Sequence, residues 1–209
     1  MRLVLASGNA RKLVEMEALF APLGIALVSQ AALGIGEADE PHVTFIENAL
    51  AKARHAAQAA GCAALADDSG LCVDALGGAP GVVSARFAQL AGGTDGMPND
   101  AAGRDAANNA LLLKTMHGVA DRRARFVSVL VALRSAEDPE PLVATGRWDG
   151  VLLEAPRGIG GFGYDPLLHI VALDRSVADL DAAAKNPHSH RALAAAQMLA
   201  LMRGNWQHG

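Results

Sequence analysis

The residues best equipped for chemistry lie between Ala63 and Phe87. An apolar run stops at Asp67-Asp68-Ser69-Gly70, resumes as Leu71-Cys72-Val73-Asp74, and closes on Gly77-Gly78-Ala79-Pro80-Gly81 before Arg86. Two carboxylates and a hydroxyl stand where a buried strand is expected to meet the surface, which is where α/β proteins place their reactive groups. Such carboxylates can take a proton or hold a hard cation. Asp, Ser and Gly also suit a plain turn, because Asp and Ser bond their own backbone and Gly accepts positive φ. The tetrapeptide therefore gains weight only from its context. Asp74 and Arg86 flank the glycine turn, and would form either an internal ion pair or a phosphate contact.

Three further clusters supply that context. Ser7-Gly8-Asn9-Ala10-Arg11-Lys12 joins an expected strand to an expected helix, where unpaired N–H groups and the helix dipole favour an anion. The same Ser-Gly-Asn also suits a simple helix cap, and the Gly-x-x-x-x-Gly-Lys pattern of a Walker loop is absent. Gly160-Gly161-Phe162-Gly163-Tyr164-Asp165-Pro166 sets two rings and a carboxylate among glycines, in a chain that is only 4% aromatic. Glycines admit close approach and a ring offers a stacking face for a planar base, although a tight turn with Phe162 in the core fits equally. Lys185-Asn186-Pro187-His188-Ser189-His190-Arg191 carries cations for phosphate oxygens and donors for a carbonyl. It also suits a solvated helix start. The His-x-His pair lacks cysteines and a third ligand at zinc spacing. Finally, Asp39, Glu40 and Glu47 are hard oxygen donors of the kind magnesium takes.

Alternating apolar runs and helical spacings place these clusters. Leu3 to Ala6 reads as a strand, Ala10 to Phe20 as a helix, and Ile25 to Ser29 as a second strand. Thr44 with Glu47 three residues on predicts a capped helix that Gly61 stops after Ala60. The segment 92–103, rich in Gly, Asp and Asn, reads as a mobile surface insertion, and a helix is expected from Asp105 to Met116. Arg125 to Leu133 suits a strand buried on both faces. Val143 to Leu153 suits one or two more strands, and Arg191 to Met202 the last helix. Interleaved strands and helices without repeats predict an α/β domain with a mixed sheet.

Composition narrows the class. With 209 residues, 51% of them hydrophobic, the chain can bury one substantial core. Eighteen Lys and Arg against 22 Asp and Glu give a net charge of -4, which argues against a general nucleic-acid binder while leaving room for a small anionic ligand held by local cations. Two cysteines, Cys62 and Cys72, point to a reducing compartment. No apolar run reaches membrane-spanning length and no secretory signal is evident, so a soluble cytoplasmic protein is expected.

Taken together, five blocks resemble the inosine triphosphate pyrophosphatase family, whose members act on dITP and XTP. Ser7 to Lys12 is similar to its phosphate loop, Thr44 to Ala49 to its helix opening, and Asp67 to Arg86 to its central signature. Gly161 to Pro166 and Lys185-Asn186 with Ser189-His190-Arg191 are similar to its base-recognition segments. The resemblance runs from Leu3 to about Leu201 in the family's order and spacing, and departs from it at 89–103, read as an insertion in a single domain spanning 1–209. It implies an elongated mixed sheet flanked by helices, two lobes with an active-site cleft, and a homodimer. The implied activity is hydrolysis of ITP, dITP or XTP to the monophosphate and pyrophosphate, with Mg2+ as cofactor and neither nucleic acid nor membrane as partner. Asp68 is then catalytic, as base, metal ligand or both, with Asp39 and Glu40 as further metal ligands. Substrate contacts fall to Ser7, Gly8, Asn9, Ala10, Arg11, Lys12, Ser69, Phe162, Gly163, Tyr164, Asp165, Lys185, His190 and Arg191. The alternatives are a pyrophosphatase for modified pyrimidine or methylated nucleotides and a non-catalytic nucleotide sensor.

Overall fold

A computed structural model describes residues 2–21, 24–92, 98–185 and 187–206. In chain order they form β1 (Arg2–Ala6), α1 (Ala10–Phe20), β2 (Ala26–Ser29), α2 (Phe45–Ala60), β3 (Ala64–Val73), α3 (Phe87–Gly92) and α4 (Ala101–Thr115). Then follow β4 (Arg123–Leu133), β5 (Leu142–Leu152), β6 (Leu168–Ile170), β7 (Arg175–Ser176), α5 (Ala182–Lys185) and α6 (His190–Trp206), with short 3-10 turns between them. The seven strands make one mixed sheet in the order β2-β1-β3-β4-β5-β6-β7. β1 runs parallel to β2 and β3, while β6 is antiparallel to β5 and β7. Among the described residues no helix is long and apolar enough to cross a membrane.

The chain divides into two compact units, and β3, β4 and β5 each contribute to both. The first comprises Met1–Asp68, Ser128–Arg147 and Ser189–Gly209. Its core packs Leu3, Leu5, Leu65 and Leu130 of the strands against Met16 and Phe20 of α1 and Ala194, Met198 and Met202 of α6. Burying each large side chain contributes roughly 1.5–3 kcal/mol. Side chains alternate along a strand, so Val4, Ala64 and Ala66, also buried, belong to the opposite face. α2 packs on β1 through a stripe of small residues, Ala49, Ala53 and Ala56, whose i, i+4, i+7 spacing gives one helix face. The parallel register pairs Leu5 with Leu65 and Ala6 with Ala66. Asp67 and Asp68 therefore follow the last paired residues, level with the turn that leaves β1.

The second unit comprises Ser69–Val127 and Trp148–His188, around Leu71, Leu112, Met116, Phe126, Trp148, Tyr164, Leu167 and Leu168. Here the structure differs from the sequence reading. Asp67-Asp68-Ser69-Gly70 is not a turn but the interior of β3. A Cβ on Gly70 would overlap the Gly81 carbonyl and the Ser84 hydroxyl, and Ser84 Oγ accepts the Leu71 N–H at 2.9 Å. Gly70 serves close approach within a strand, a use glycine shares with turns in sequence. The helix expected at Asp105 begins at Ala101, because Asp100 caps it by accepting the Gly103 N–H at 2.7 Å. Within the expected insertion, residues 89–92 lie in α3 and 101–103 in α4, while 93–97 fall outside the described residues. Helix α2 is capped by Thr44, whose hydroxyl accepts the Glu47 N–H, and ends at Gly61 with φ +62. The segment Val143 to Leu153 yields a single strand, β5.

Candidate active site

Neighbouring residues of a strand face opposite ways, and β3 puts its two carboxylates into unlike surroundings. Asp67, 2% exposed, meets Lys12 Nζ at 2.9 Å and Arg191 Nε at 3.4 Å, and accepts the Ser128 hydroxyl at 2.6 Å. Lys12 lies one turn into α1 and Arg191 at the start of α6, so the two helices packed beside the Leu65 side of β3 supply the cations. Arg191 also pairs with Glu15, on the same face of α1 as Lys12. Burial opposes ionisation of Asp67, but Lys12, Arg191 and Ser128 outweigh it and hold the carboxyl well below the ordinary carboxylate range. Burial likewise lowers the pKa of the Lys12 ammonium against the pull of Asp67.

Asp68, 4% exposed, belongs with α2. Its Oδ1 accepts from Lys52 Nζ at 2.7 Å, and Glu40 Oε1 accepts from the same nitrogen at 2.8 Å. Its Oδ2 is buried with no hydrogen-bond partner. Here burial wins over Lys52 and pushes the Asp68 pKa up, while Asp68 and Glu40 overcome burial at Lys52 and raise its pKa as well. Two adjacent carboxylates are thus driven in opposite directions, Asp67 by its cations and Asp68 by burial. The loop bearing Glu40 is tied to α2 by Asn48, whose amide donates to His42 O at 3.1 Å and accepts from His42 N at 3.0 Å, and by His55, whose Nε2 lies 3.0 Å from Gly36 O. Asp39 on this loop is exposed.

The turn after β1 serves as the helix cap read from its sequence. Asn9 caps α1, its Oδ1 accepting from Arg11 N and Lys12 N at 3.0 and 3.3 Å, and Ser7 Oγ accepts from Asn9 N at 3.2 Å. A Cβ on Gly8 would overlap the Glu37 carboxylate, so this backbone is already approached by an anionic group. Ala10 is exposed as the first helical residue, and Arg11 is half-buried. These seats lie in the first unit with Asp67 and Asp68.

In the second unit the glycine-dense turn is held from within. Asp165 Oδ2 accepts from Phe162 N at 3.0 Å and from Lys185 Nζ at 2.9 Å, and that ammonium lies 5.0 Å from the centre of the half-buried Phe162 ring. A Cβ on Gly161 would overlap the Asp165 carboxylate. Gly163, at φ +61, is the position where the turn needs a residue without a side chain. Tyr164 is buried in the core and its hydroxyl donates to Ser84 O at 2.9 Å. Lys185 therefore joins Phe162 and Asp165, whereas Arg191 and the buried His190 belong to α6 of the first unit. Ser69 is half-buried in β3 at the start of the second unit. Asp74 pairs with Arg125, and with Arg123 at 3.7 Å, so an ion pair is its structural use.

Four polar residues of the first unit escaped the sequence reading: Lys52, Glu15, Ser128 and Glu37. Lys52 follows Asn48 by four residues in an Ala-rich helix, and Ser128 interrupts the apolar run of β4. A lone polar residue on an otherwise apolar or small-residue face was the available signal in both. Glu15 and Glu37 carry no comparable mark. Among the described residues no three His, Cys, Asp or Glu side chains gather as a ready metal cage.

Comparison with known proteins gives a consistent picture. A model of the Ham1 family matches residues 3–201. The chain is 66% identical over 206 residues to a dITP/XTP pyrophosphatase of Methylibium petroleiphilum, spanning 99% of each protein. It is 66% identical over 209 residues to one of Leptothrix cholodnii, again spanning 99% of each. Among solved structures it is similar to a HAM1 protein from Coxiella burnetii, with a TM-score of 0.86 and 38% identity over 98% of this chain and 99% of that one.

Proposed function

This chain belongs to the Ham1 family, and we propose from that membership and from its paired carboxylates that it hydrolyses the deaminated purine nucleoside triphosphates dITP, ITP and XTP to the nucleoside monophosphate and pyrophosphate. The observation that carries the chemistry is the contrast between Asp67, locked in its charged form by three donors, and Asp68, raised in pKa with one oxygen unpartnered. A base works best when its pKa approaches the working pH. Asp68 Oδ2 accepts a proton from water as the water oxygen bonds to the α-phosphorus. The bond from that phosphorus to the α–β bridging oxygen breaks, and pyrophosphate leaves. Lys12 and Lys52 supply positive charge for the phosphate oxygens, with Gly8 and Ala10 offering the backbone N–H groups of the turn, since those of Ser7 and Asn9 already bond Leu5 O and Ser7 Oγ. Asp67 orients Lys12 and pulls its pKa up against burial.

The donor set fits magnesium. Asp68 Oδ1 and Glu40 Oε1 converge on one cation, Lys52 Nζ, a paired-carboxylate arrangement separate from the Oδ2 that takes the proton, which suits an ion that takes one or two carboxylates and completes its shell with water and substrate phosphates. Asp68 and Glu40 would hold it, with exposed Asp39 beside them in sequence. When bound, the ion neutralises charge on the phosphate oxygens. Phe162 offers its ring to the base. The working state we infer is a cytoplasmic homodimer acting on free nucleotides, with no role in binding nucleic acid, in keeping with a net charge of -4. The names of the relatives favour neither a pyrimidine-directed enzyme nor a non-catalytic sensor.

Pyrophosphate release from dITP, XTP, dGTP and a modified pyrimidine triphosphate, with magnesium and with EDTA, tests the reading. Release from dITP and XTP that stops with EDTA supports it. Preference for the pyrimidine, or no release from any nucleotide, overturns it.

A further inference from the structure

The turn that carries Phe162 is braced from outside as well as from within. Gly163 N donates to Asp105 Oδ2 at 2.9 Å, and Gly163 O accepts from Asn109 Nδ2 at 2.9 Å. Asp105 and Asn109 are four residues apart on α4, so one helix face grips both ends of a single glycine. That glycine needs its positive φ of +61 to turn the chain between Phe162 and Tyr164. Helix α4 is itself fixed: Asn108 donates to Ala85 O at 3.2 Å and accepts from Ala88 N at 2.8 Å, and Leu112 is fully buried. The grip is therefore rigid at its root. Asn109 Oδ1 is buried without a hydrogen-bond partner, a cost that a side chain with no need of its Nδ2 contact would avoid.

We propose that Asp105 and Asn109 are positioning residues that set selectivity for the purine base, by fixing the Gly163 peptide and through it the Phe162 ring. The proposal rests on the reading of Phe162 as the stacking face for the base. A ring held in one place discriminates among bases by where their edges fall, whereas a ring free to shift accommodates each of them. Phosphate handling, which depends on Lys12, Lys52 and Asp68, does not pass through this contact.

The test compares Asp105→Ala, Asp105→Asn and Asn109→Ala with the unmodified protein in steady-state pyrophosphate release from dITP and dGTP, with inorganic pyrophosphate as inhibitor. Loss of the charged bond in Asp105→Ala lowers the dITP to dGTP ratio of kcat/KM about tenfold, and Asn109→Ala lowers it about threefold. The change is carried by KM for dITP, with inhibition by pyrophosphate unaltered. Asp105→Asn retains an acceptor for the Gly163 N–H and restores most of the ratio. Equal losses on both nucleotides, or pyrophosphate inhibition weakening in step, overturn the proposal and mark the contact as structural. If Asp105→Ala does not fold, Asn109→Ala decides, since it removes a single donor from a half-buried site. An unmodified protein without preference for dITP refutes the stacking assignment itself, a result separable from an unmodified preference that the variants retain.

Discussion

Arg191→Ala separates two uses of one guanidinium. The family resemblance gives Arg191 to the base, while the structure commits its Nε to Asp67 at 3.4 Å and its Nη1 to Glu15, with the arginine side chain 2% and Asp67 1% exposed. Removing one partner of a buried pair costs about 3–5 kcal/mol. The lower end applies here, because Asp67 keeps Lys12 and Ser128 and Glu15, 20% exposed, can rehydrate. A loss of about 3 kcal/mol in a chain of this length lowers the melting temperature by roughly 6–12 °C, at about 2–4 °C per kcal/mol. Arg191→Lys keeps the charge but not the planar fork, and should fall between. Thermal unfolding followed by circular dichroism measures the stability, and kcat/KM for dITP, XTP and dGTP measures the consequence for catalysis. All three nucleotides should lose activity alike, because what is loosened is the Asp67–Lys12 arrangement. A variant that melts normally, or one that loses dITP and XTP far more than dGTP, would refute this reasoning and return Arg191 to the base.

Three other outcomes follow from the same geometry. Asp68→Asn should reduce kcat at least about 100-fold through loss of the base without lowering the melting temperature, since burial already disfavours the charged form; rapid turnover in a folded variant would remove Asp68 from the proton transfer. Lys52→Met removes the cation that pulls the Asp68 pKa down, so the acid limb of the kcat/KM profile should move to higher pH, and an unmoved or lowered limb would show that another group governs it. Gly146→Ala should sharply reduce soluble expression or melting temperature, because a Cβ on this β5 residue would overlap the His190 carbonyl at the start of α6, and a melt matching the unmodified protein would contradict that packing.

Much of this arrangement is legible from sequence where local chemistry decides the outcome. Thr44 with Glu47, Gly61 after Ala60, and the apolar run into Leu133 each act within a few residues, and their elements form as the spacing predicts. The failures share a different cause. Gly70 and Gly103 read as loop residues because glycine marks both turns and close contacts, and here each clears room for a neighbour distant or adjacent, Gly81 in one case and Pro98 in the other. Asp67 and Asp68 stand out by type, yet nothing local says that Lys52 reaches one of them and Arg191 the other. Those partners lie 16 and 124 positions away, and only strand alternation and the helices on each side bring them together.

Because Asp67 and Asp68 share a peptide bond while answering to different helices, the strand that carries them has no slack to lend. A rotation that eased Asp68 toward an incoming phosphate would pull Asp67 against Lys12 and Arg191. Asp68 is thus anchored by its neighbour's ion pairs, and a shift of one residue in the register of β3 would exchange the two environments. An insertion or deletion that broke the phase of this strand would misplace both carboxylates at once, so the spacing of β3 matters as much as the carboxylates themselves.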